Sequence, residues 1–265
     1  MLNLDLTGKT AVVTGASGEL GRVITRTLSH CGAAVAIHYH RGHDRANALF
    51  KEISASGGKA IAVQADIAVR DEVFALRDQV KESLGPADII VNNAVHQYQW
   101  TSVLDQSEDD YESQFRTCVL HNVLMAKAFI PNMIERDWGR VIAINTECTM
   151  QCHPNQSAYI AGKGGQDRVL RVLAKEVGPH NITVNQVAPG WMISDKYRTV
   201  SKMGVSHSDA APPADDANYI KNVPLGHRGE DQDIANAVAF LASDLASFIT
   251  GVYLPVCGGY VMPRI

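Results

Sequence analysis

Seven short runs of apolar, largely β-branched residues recur along the chain: TAVVT (10–14), AAVAIHY (33–39), KAIAVQAD (59–66), DIIVNNA (88–94), RVIAINT (140–146), ITVNQVAPG (182–190) and VYLPV (252–256). A strand wetted on one face alternates apolar and polar residues. These runs are continuously apolar, as strands covered on both faces of a parallel sheet are. Helix-period segments separate them. Leu20, Val23, Ile24, Thr27 and Leu28 share one helix face, as do Ala46, Leu49, Phe50 and Ile53, and later Val169, Val172, Leu173 and Val177. This alternation predicts an α/β fold, a doubly wound parallel sheet of about seven strands with helices on both faces. The 265 residues suit a single domain, 1–265, with one continuous core. The irregular stretch is 195–222, polar and containing Pro212-Pro213. A loop of that length in a compact domain is expected to be a functional lid or a disordered stretch, and it is read as a substrate-binding loop.

The composition, 46% hydrophobic and 20% charged with a formal net charge of −4, is that of an ordinary globular chain. It contains no lysine- or arginine-rich run, so no electrostatic footprint of a nucleic-acid or membrane-surface partner is expected. No apolar run is long enough to span a bilayer. The start, MLNLDLTGKT, lacks the basic and apolar regions of a signal peptide. Five cysteines without framework spacing read as free thiols. Together these place the expectation in the cytoplasm.

Chemistry gathers at the ends of the apolar runs. The first ends in TGASGELG (14–21), where Gly15, Gly18 and Gly21 let backbone approach a pyrophosphate at a helix N-terminus. The second ends in HYHRG (38–42). No acidic residue stands there to bind the two ribose hydroxyls of NAD, whereas His40 and Arg41 can pair with a 2′-phosphate. NADP(H) is therefore favoured and NAD(H) remains open, as does a plain turn role for Arg41. His38, His40 and His43 lack cysteine or carboxylate partners at ligand spacing, so no metal site is expected. Asp66 and Asn93-Ala94 end the third and fourth runs, where an open α/β sheet binds its ligand; a capping role suits Asn93 equally. Tyr159 and Lys163, four apart, share a helix face either as a catalytic acid with its electrostatic helper or as a surface pair.

TGASGELG, Asp66, NNA, YIAGK, VAPG and a closing CGGY together resemble the short-chain dehydrogenase/reductase family in order and spacing, from Leu4 to Tyr260. The chain is most similar to the single-domain branch that includes 3-oxoacyl-(acyl-carrier-protein) reductases and glucose dehydrogenases, a likeness strengthened by PLGHRGEDQDIANAVAFLASDLASFITG. The resemblance implies a Rossmann-type NAD(P)-binding domain that interconverts a carbonyl and a secondary alcohol by hydride transfer. Tyr159 would be the general acid/base, Lys163 would hold the ribose and lower the tyrosine pKa, and Thr146 would stand in for the family's serine. The cofactor would lie along Gly15, Ser17, Gly18, Leu20, Gly21, His40, Arg41, Asp66, Ile67, Asn93, Ala94, Pro189, Gly190, Met192 and Ser194, besides Tyr159 and Lys163. His96, Glu147, His153 and Trp191 are expected to meet the substrate, with Tyr98, Trp100, Gln151 and Tyr197 nearby. This polar and aromatic mixture favours a polar small molecule. A homotetramer or homodimer built through helices around 108–135 and 156–178 is also implied. Three residues depart from the pattern: Glu19 at a family glycine, Val95 after Asn-Asn-Ala, and Cys118 at a helix asparagine. They keep open a cofactor-binding protein with weak or no turnover. The glycine spacing alone also fits an epimerase-like enzyme, although the chain ends soon after Gly258-Gly259.

Overall fold

In the computed structural model, which describes residues 4–96, 98–193 and 216–262, all seven apolar runs form strands. They are β1 (Thr10–Val13), β2 (Ala34–Tyr39), β3 (Ala60–Gln64), β4 (Ile89–Asn92), β5 (Gly139–Ile144), β6 (Ile182–Pro189) and β7 (Tyr253–Val256). They make one sheet in the order β3-β2-β1-β4-β5-β6-β7, every neighbouring pair parallel. The strands feed two apolar layers. On one side Ala11, Val13, Ile37, Ile89 and Ile142 pack with α1 (Glu19–His30), α2 (His43–Ala55) and the later helix Asp231–Ala242. On the other, Val12, Ala36, Ile90 and Val141 pack with α3 (Arg70–Leu84) and two further helices, His121–Glu135 and Ser157–Val177. Successive strand residues serve opposite layers, so the runs could not alternate with polar residues.

The remaining helical elements surround the carboxyl ends of the strands. α4 (Glu108–Gln114) passes through a π-helical segment, Phe115–Leu120, into α5 (His121–Glu135). α6 (Cys148–Gln151) is a single turn after β5, α7 spans Ser157–Val177, α8 spans Asp216–Lys221 and α9 spans Asp231–Ala242. The expected loop 195–222 lies largely outside the described residues; its end is α8. The π segment has no signature in the apolar period. Such turns often mark functional places within helices.

One helix face differs from its expectation. Val172, assigned to the covered face of α7, is 57% exposed. The covered face is Gly162, Lys163, Gln166, Asp167, Leu170, Ala174 and Val177. Three of those residues are polar, so hydropathy alone rotates the helix the wrong way.

Strand addition reverses between β1, which leads to β2 and β3, and its other neighbour β4. The turns leaving β1 and β4 therefore diverge and open a crevice at their carboxyl ends. Gly15 turns the chain there with φ of +64°. A Cβ on Gly21 would stand 2.2 Å from the Gly15 carbonyl oxygen, so helix α1 approaches the turn only because that position is glycine.

Candidate active site

The glycine turn is held from both sides. The Gly15 N–H donates to Nδ1 of His38 at 3.0 Å, and Nε2 of the same ring donates to the Ala65 carbonyl at 2.9 Å. That pattern requires a neutral imidazole. Burial enforces it, pushing His38 down to about 4. From the β4 side, Asn93 Nδ2 donates to the carbonyls of Thr14 (2.9 Å) and Gly15 (3.3 Å). Thr14 Oγ1 accepts from the N–H groups of Asn93 and Ala94. Asn93 thus takes the capping role that the sequence left open. Gly18 caps α1 without a side-chain cap bond, which leaves the first-turn N–H groups suited to an anion. Glu19 lies in that turn with its carboxylate paired to Arg22, so its repulsion of a phosphate is offset. Leu20 packs onto the core, and Ser17 is buried.

Beyond β2, His40 and Arg41 are exposed. A Cβ on Gly42, the cap of α2, would lie 2.6 Å from Ser17 Oγ and 3.3 Å from Arg45 Nη2. A hydroxyl and a guanidinium therefore meet at the start of α2 beside Arg41. The sequence reading missed Arg45, whose only signal is its place three residues after a capping glycine. Asp66 Oδ1 accepts from the Ala68 N–H at 2.9 Å, a tight turn that fixes its carboxylate beyond β3, and Ile67 is buried. A dinucleotide fits this series: a helix end for its phosphates, a cationic tip at β2 and backbone that no Cβ obstructs.

Across the crevice, Thr146 and Lys163 are both buried. The Thr146 hydroxyl, at the end of β5, lies close enough to the Tyr159 phenol, in the first turn of α7, to favour the phenolate. Lys163 Nζ donates to the Ile144 carbonyl at 2.6 Å and to Gln166 Oε1 at 3.2 Å. Burial lowers its pKa, opposed by the neighbouring Cys118. The sequence reading expects the Tyr159 pKa to be lowered. The structure has it raised, because burial outweighs the groups that favour the phenolate. Trp100 stacks on the Tyr159 ring at 5.9 Å, and the Tyr159 N–H donates to the Tyr98 hydroxyl at 2.7 Å. The Tyr253 hydroxyl reaches the Thr146 carbonyl and Asn145 Oδ1, steadying the end of β5; nothing in its apolar run announced that role. Cys118 lies buried in the π segment. Its carbonyl accepts from Asn122 Nδ2 at 2.6 Å, and Asn122 Oδ1 accepts from Asn92 at 2.7 Å.

A cavity of about 810 Å³ opens above this group. Glu147, His153 and Trp191 line it as expected, together with Trp100, Gln151, Pro189 and Gly190. His96 does not. Its side chain is exposed, and its carbonyl accepts from Gln114 Nε2 at 2.9 Å. Met192 lies near the rim with its side chain against Gly229. Ser194 and Tyr197 fall outside the described residues. Tyr219, Asn218, Asn222 and Tyr260 complete the wall. They were missed because they come from α8 and the chain after β7, where periodicity assigns no position.

A helix end open to an anion on one side of the crevice, and a phenol beside a hydroxyl on the other, meet what hydride exchange between a nicotinamide and a carbinol carbon requires. Fold and site are those of an NAD(P)-dependent oxidoreductase. The family model for enoyl-(acyl carrier protein) reductase matches residues 15–261. An uncharacterized oxidoreductase of Methylorubrum extorquens is 35% identical over 254 residues, 96% of this chain and 98% of that one. The 3-oxoacyl-(acyl-carrier-protein) reductase of Staphylococcus epidermidis is 34% identical, over 96% of this chain and 99% of its own. Among solved structures, a 7α-hydroxysteroid dehydrogenase complexed with NADH and 7-oxo glycochenodeoxycholic acid superposes with a TM-score of 0.88 at 31% identity, covering 98% of this chain and 97% of that one. A gluconate 5-dehydrogenase from Burkholderia cenocepacia, in complex with NADP and tartrate, gives 0.86 at 26%, covering 97% of each chain. The chain belongs to the short-chain dehydrogenase/reductase family and acts on CH–OH groups. No helix among the described residues is long and apolar enough to cross a membrane.

The neutral His38 ring makes stability depend on pH. Its pKa is about 4 in the folded protein against the ordinary 6.5, so between those values the unfolded chain binds more protons. The ring's contribution is complete above about pH 6.5 and is lost as pH falls toward 4, by up to ~1.4 kcal/mol per pH unit. The melting temperature should drop over that interval, and His38→Asn, which cannot titrate, should flatten the slope. An unchanged slope would show that the ring charges freely in the folded state.

Proposed function

We propose that the chain is an NADP(H)-dependent oxidoreductase that interconverts a carbonyl and a secondary alcohol, with Tyr159 as its general acid/base. The Thr146 hydroxyl beside the Tyr159 phenol, both at the wall of a large cavity, is the observation that carries the reading. When bound, the cofactor supplies the hydride and, in its oxidised form, a positive ring. Tyr159 gives its proton to the substrate oxygen during reduction and takes it back during oxidation. Thr146 holds that oxygen, and Lys163 is the buried cation available to a ribose and to the phenolate. Trp100 shields the phenol's ring. The names of the two dehydrogenase structures bound to nicotinamide cofactors support this chemistry. The cations Arg41 and Arg45 at the start of α2 support the 2′-phosphorylated cofactor.

Three measurements test this reading. Tyr159→Phe should keep NADPH affinity while turnover falls by at least ~10²-fold, the scale for removing a positioned acid. Thr146→Ser should be tolerated and Thr146→Ala should not. Turnover surviving in Tyr159→Phe would move the acid elsewhere. Arg41→Ala and Arg45→Ala should each weaken NADPH by about 1–3 kcal/mol and leave NADH nearly unchanged, as loss of a charge-assisted contact does; equal losses for both cofactors would show that neither reads the phosphate. Phe115 and Val172, 55% and 57% exposed, lie on the helices expected to pair copies of the chain. Light scattering should report a dimer or tetramer, and a monomer would refute that pairing.

A further inference from the structure

Glu147 immediately follows Thr146, the residue assigned to hold the reacting oxygen. Only 4% of it is exposed. Its position is fixed, because its N–H donates to the Pro189 carbonyl at 3.1 Å and ties the end of β5 to the end of β6. One carboxylate oxygen is satisfied: Oε1 accepts at 2.9 Å from the Tyr219 hydroxyl, which itself accepts from the Trp191 N–H at 2.8 Å. The other, Oε2, is buried without a hydrogen-bond partner, and no cation pairs with Glu147 among the described residues. A buried carboxylate in that condition is costly, and a structural role would be served better by an amide or an apolar residue. Two more cavity-lining groups share the condition. Gln151 Nε2, whose amide lies close enough to act on the carboxylate, and Gln156 Oε1 are likewise buried without partners. One unsatisfied donor thus stands with two unsatisfied acceptors around a cavity of about 810 Å³.

Ligand chemistry follows from that set. A carboxylate or phosphate on the substrate would face Glu147 charge against charge in a site of low dielectric. An ammonium would satisfy Glu147 but leave the Gln151 amide facing three more donors. A hydroxyl both donates and accepts, so it serves each of the three groups. Resting on the oxidoreductase reading above, we propose that Glu147 determines specificity: it accepts a hydrogen bond from a substrate hydroxyl other than the reacting one, so the enzyme takes neutral polyhydroxylated alcohols and carbonyls and rejects their carboxylate-bearing counterparts. Tyr219 is a positioning residue that aims the carboxylate. Because Glu147 and Thr146 are consecutive, the recognised hydroxyl sits close to the reacting carbon, as in a sugar or polyol.

D-sorbitol and D-gluconate make a matched probe pair, since both are six-carbon polyols and only one carries a carboxylate. Their binding is measured by calorimetry on the protein saturated with its preferred reduced cofactor, so that neither alcohol is consumed. Sorbitol should bind at least ~10-fold more tightly than gluconate, the scale of one charge-assisted contact set against like-charge repulsion. Glu147→Gln should close most of that gap, weakening sorbitol and admitting gluconate. Tyr219→Phe keeps the charge and should keep the rejection of gluconate, while sorbitol weakens several-fold. Tyr159→Phe should retain the full gap with its turnover gone. Gluconate binding as tightly as sorbitol, a gap that survives Glu147→Gln, or no response to sorbitol would each overturn the proposal. Turnover persisting in Tyr159→Phe would instead overturn the acid/base assignment, and the binding gap would still decide the role of Glu147.

Discussion

The imidazole of His38 ties together the ends of three strands. Through Nδ1 it takes the Gly15 N–H as β1 ends, through Nε2 it gives to Ala65 just beyond β3, and its own backbone belongs to β2. Two further supports join it: the Ala16 N–H donates to the His38 carbonyl at 2.9 Å, and the Asn93 staple reaches over from β4. Together they fix the turn, and α1 presents its N-terminus in one direction. The ring does this only while neutral, and a buried position between two backbone partners keeps it neutral. Placement of the helix end rests in part on this uncharged side chain.

Much of the fold was legible because burial on two faces leaves a strong mark. Six of the seven strands fell within their apolar runs and β5 began one residue early, while the glycines and Thr146 lie at strand ends and Tyr159 and Lys163 on α7, after β5. The failures have a common origin. On α7 the covered face carries the polar Lys163, Gln166 and Asp167, so the apolar stripe pointed to Val172 instead. His96, one of the polar and aromatic residues expected at the substrate, is exposed and does not line the cavity. Tyr219, Tyr253 and Arg45 matter through contacts made across long stretches of sequence or at a single turn, which leave no periodic trace.

The departures from the family pattern are accommodated locally. Glu19 brings a carboxylate to a helix end meant for anions, and Arg22 holds it. Cys118 removes an asparagine side chain from the helix above the site. Asn122, one turn on, reaches back to the Cys118 carbonyl and links it to Asn92 at the end of β4. The π segment belongs to the same neighbourhood.

The absence of a side chain at Gly190 has an evolutionary consequence. A Cβ there would come within 2.6 Å of the Tyr219 hydroxyl, so that glycine admits the phenol of α8 to the junction of β5 and β6. The phenol then contacts both Glu147 and the Trp191 backbone. Positions 147, 190 and 219 form a linked set despite their separation in sequence. Descent from this enzyme to one with another preference cannot proceed through these sites one at a time at equal cost. A bulkier residue at 190 is tolerated only after 219 has shortened, and replacing 147 leaves 219 with a stranded hydroxyl. The order in which such changes accumulate is therefore constrained by a glycine that brings no side chain to the cavity.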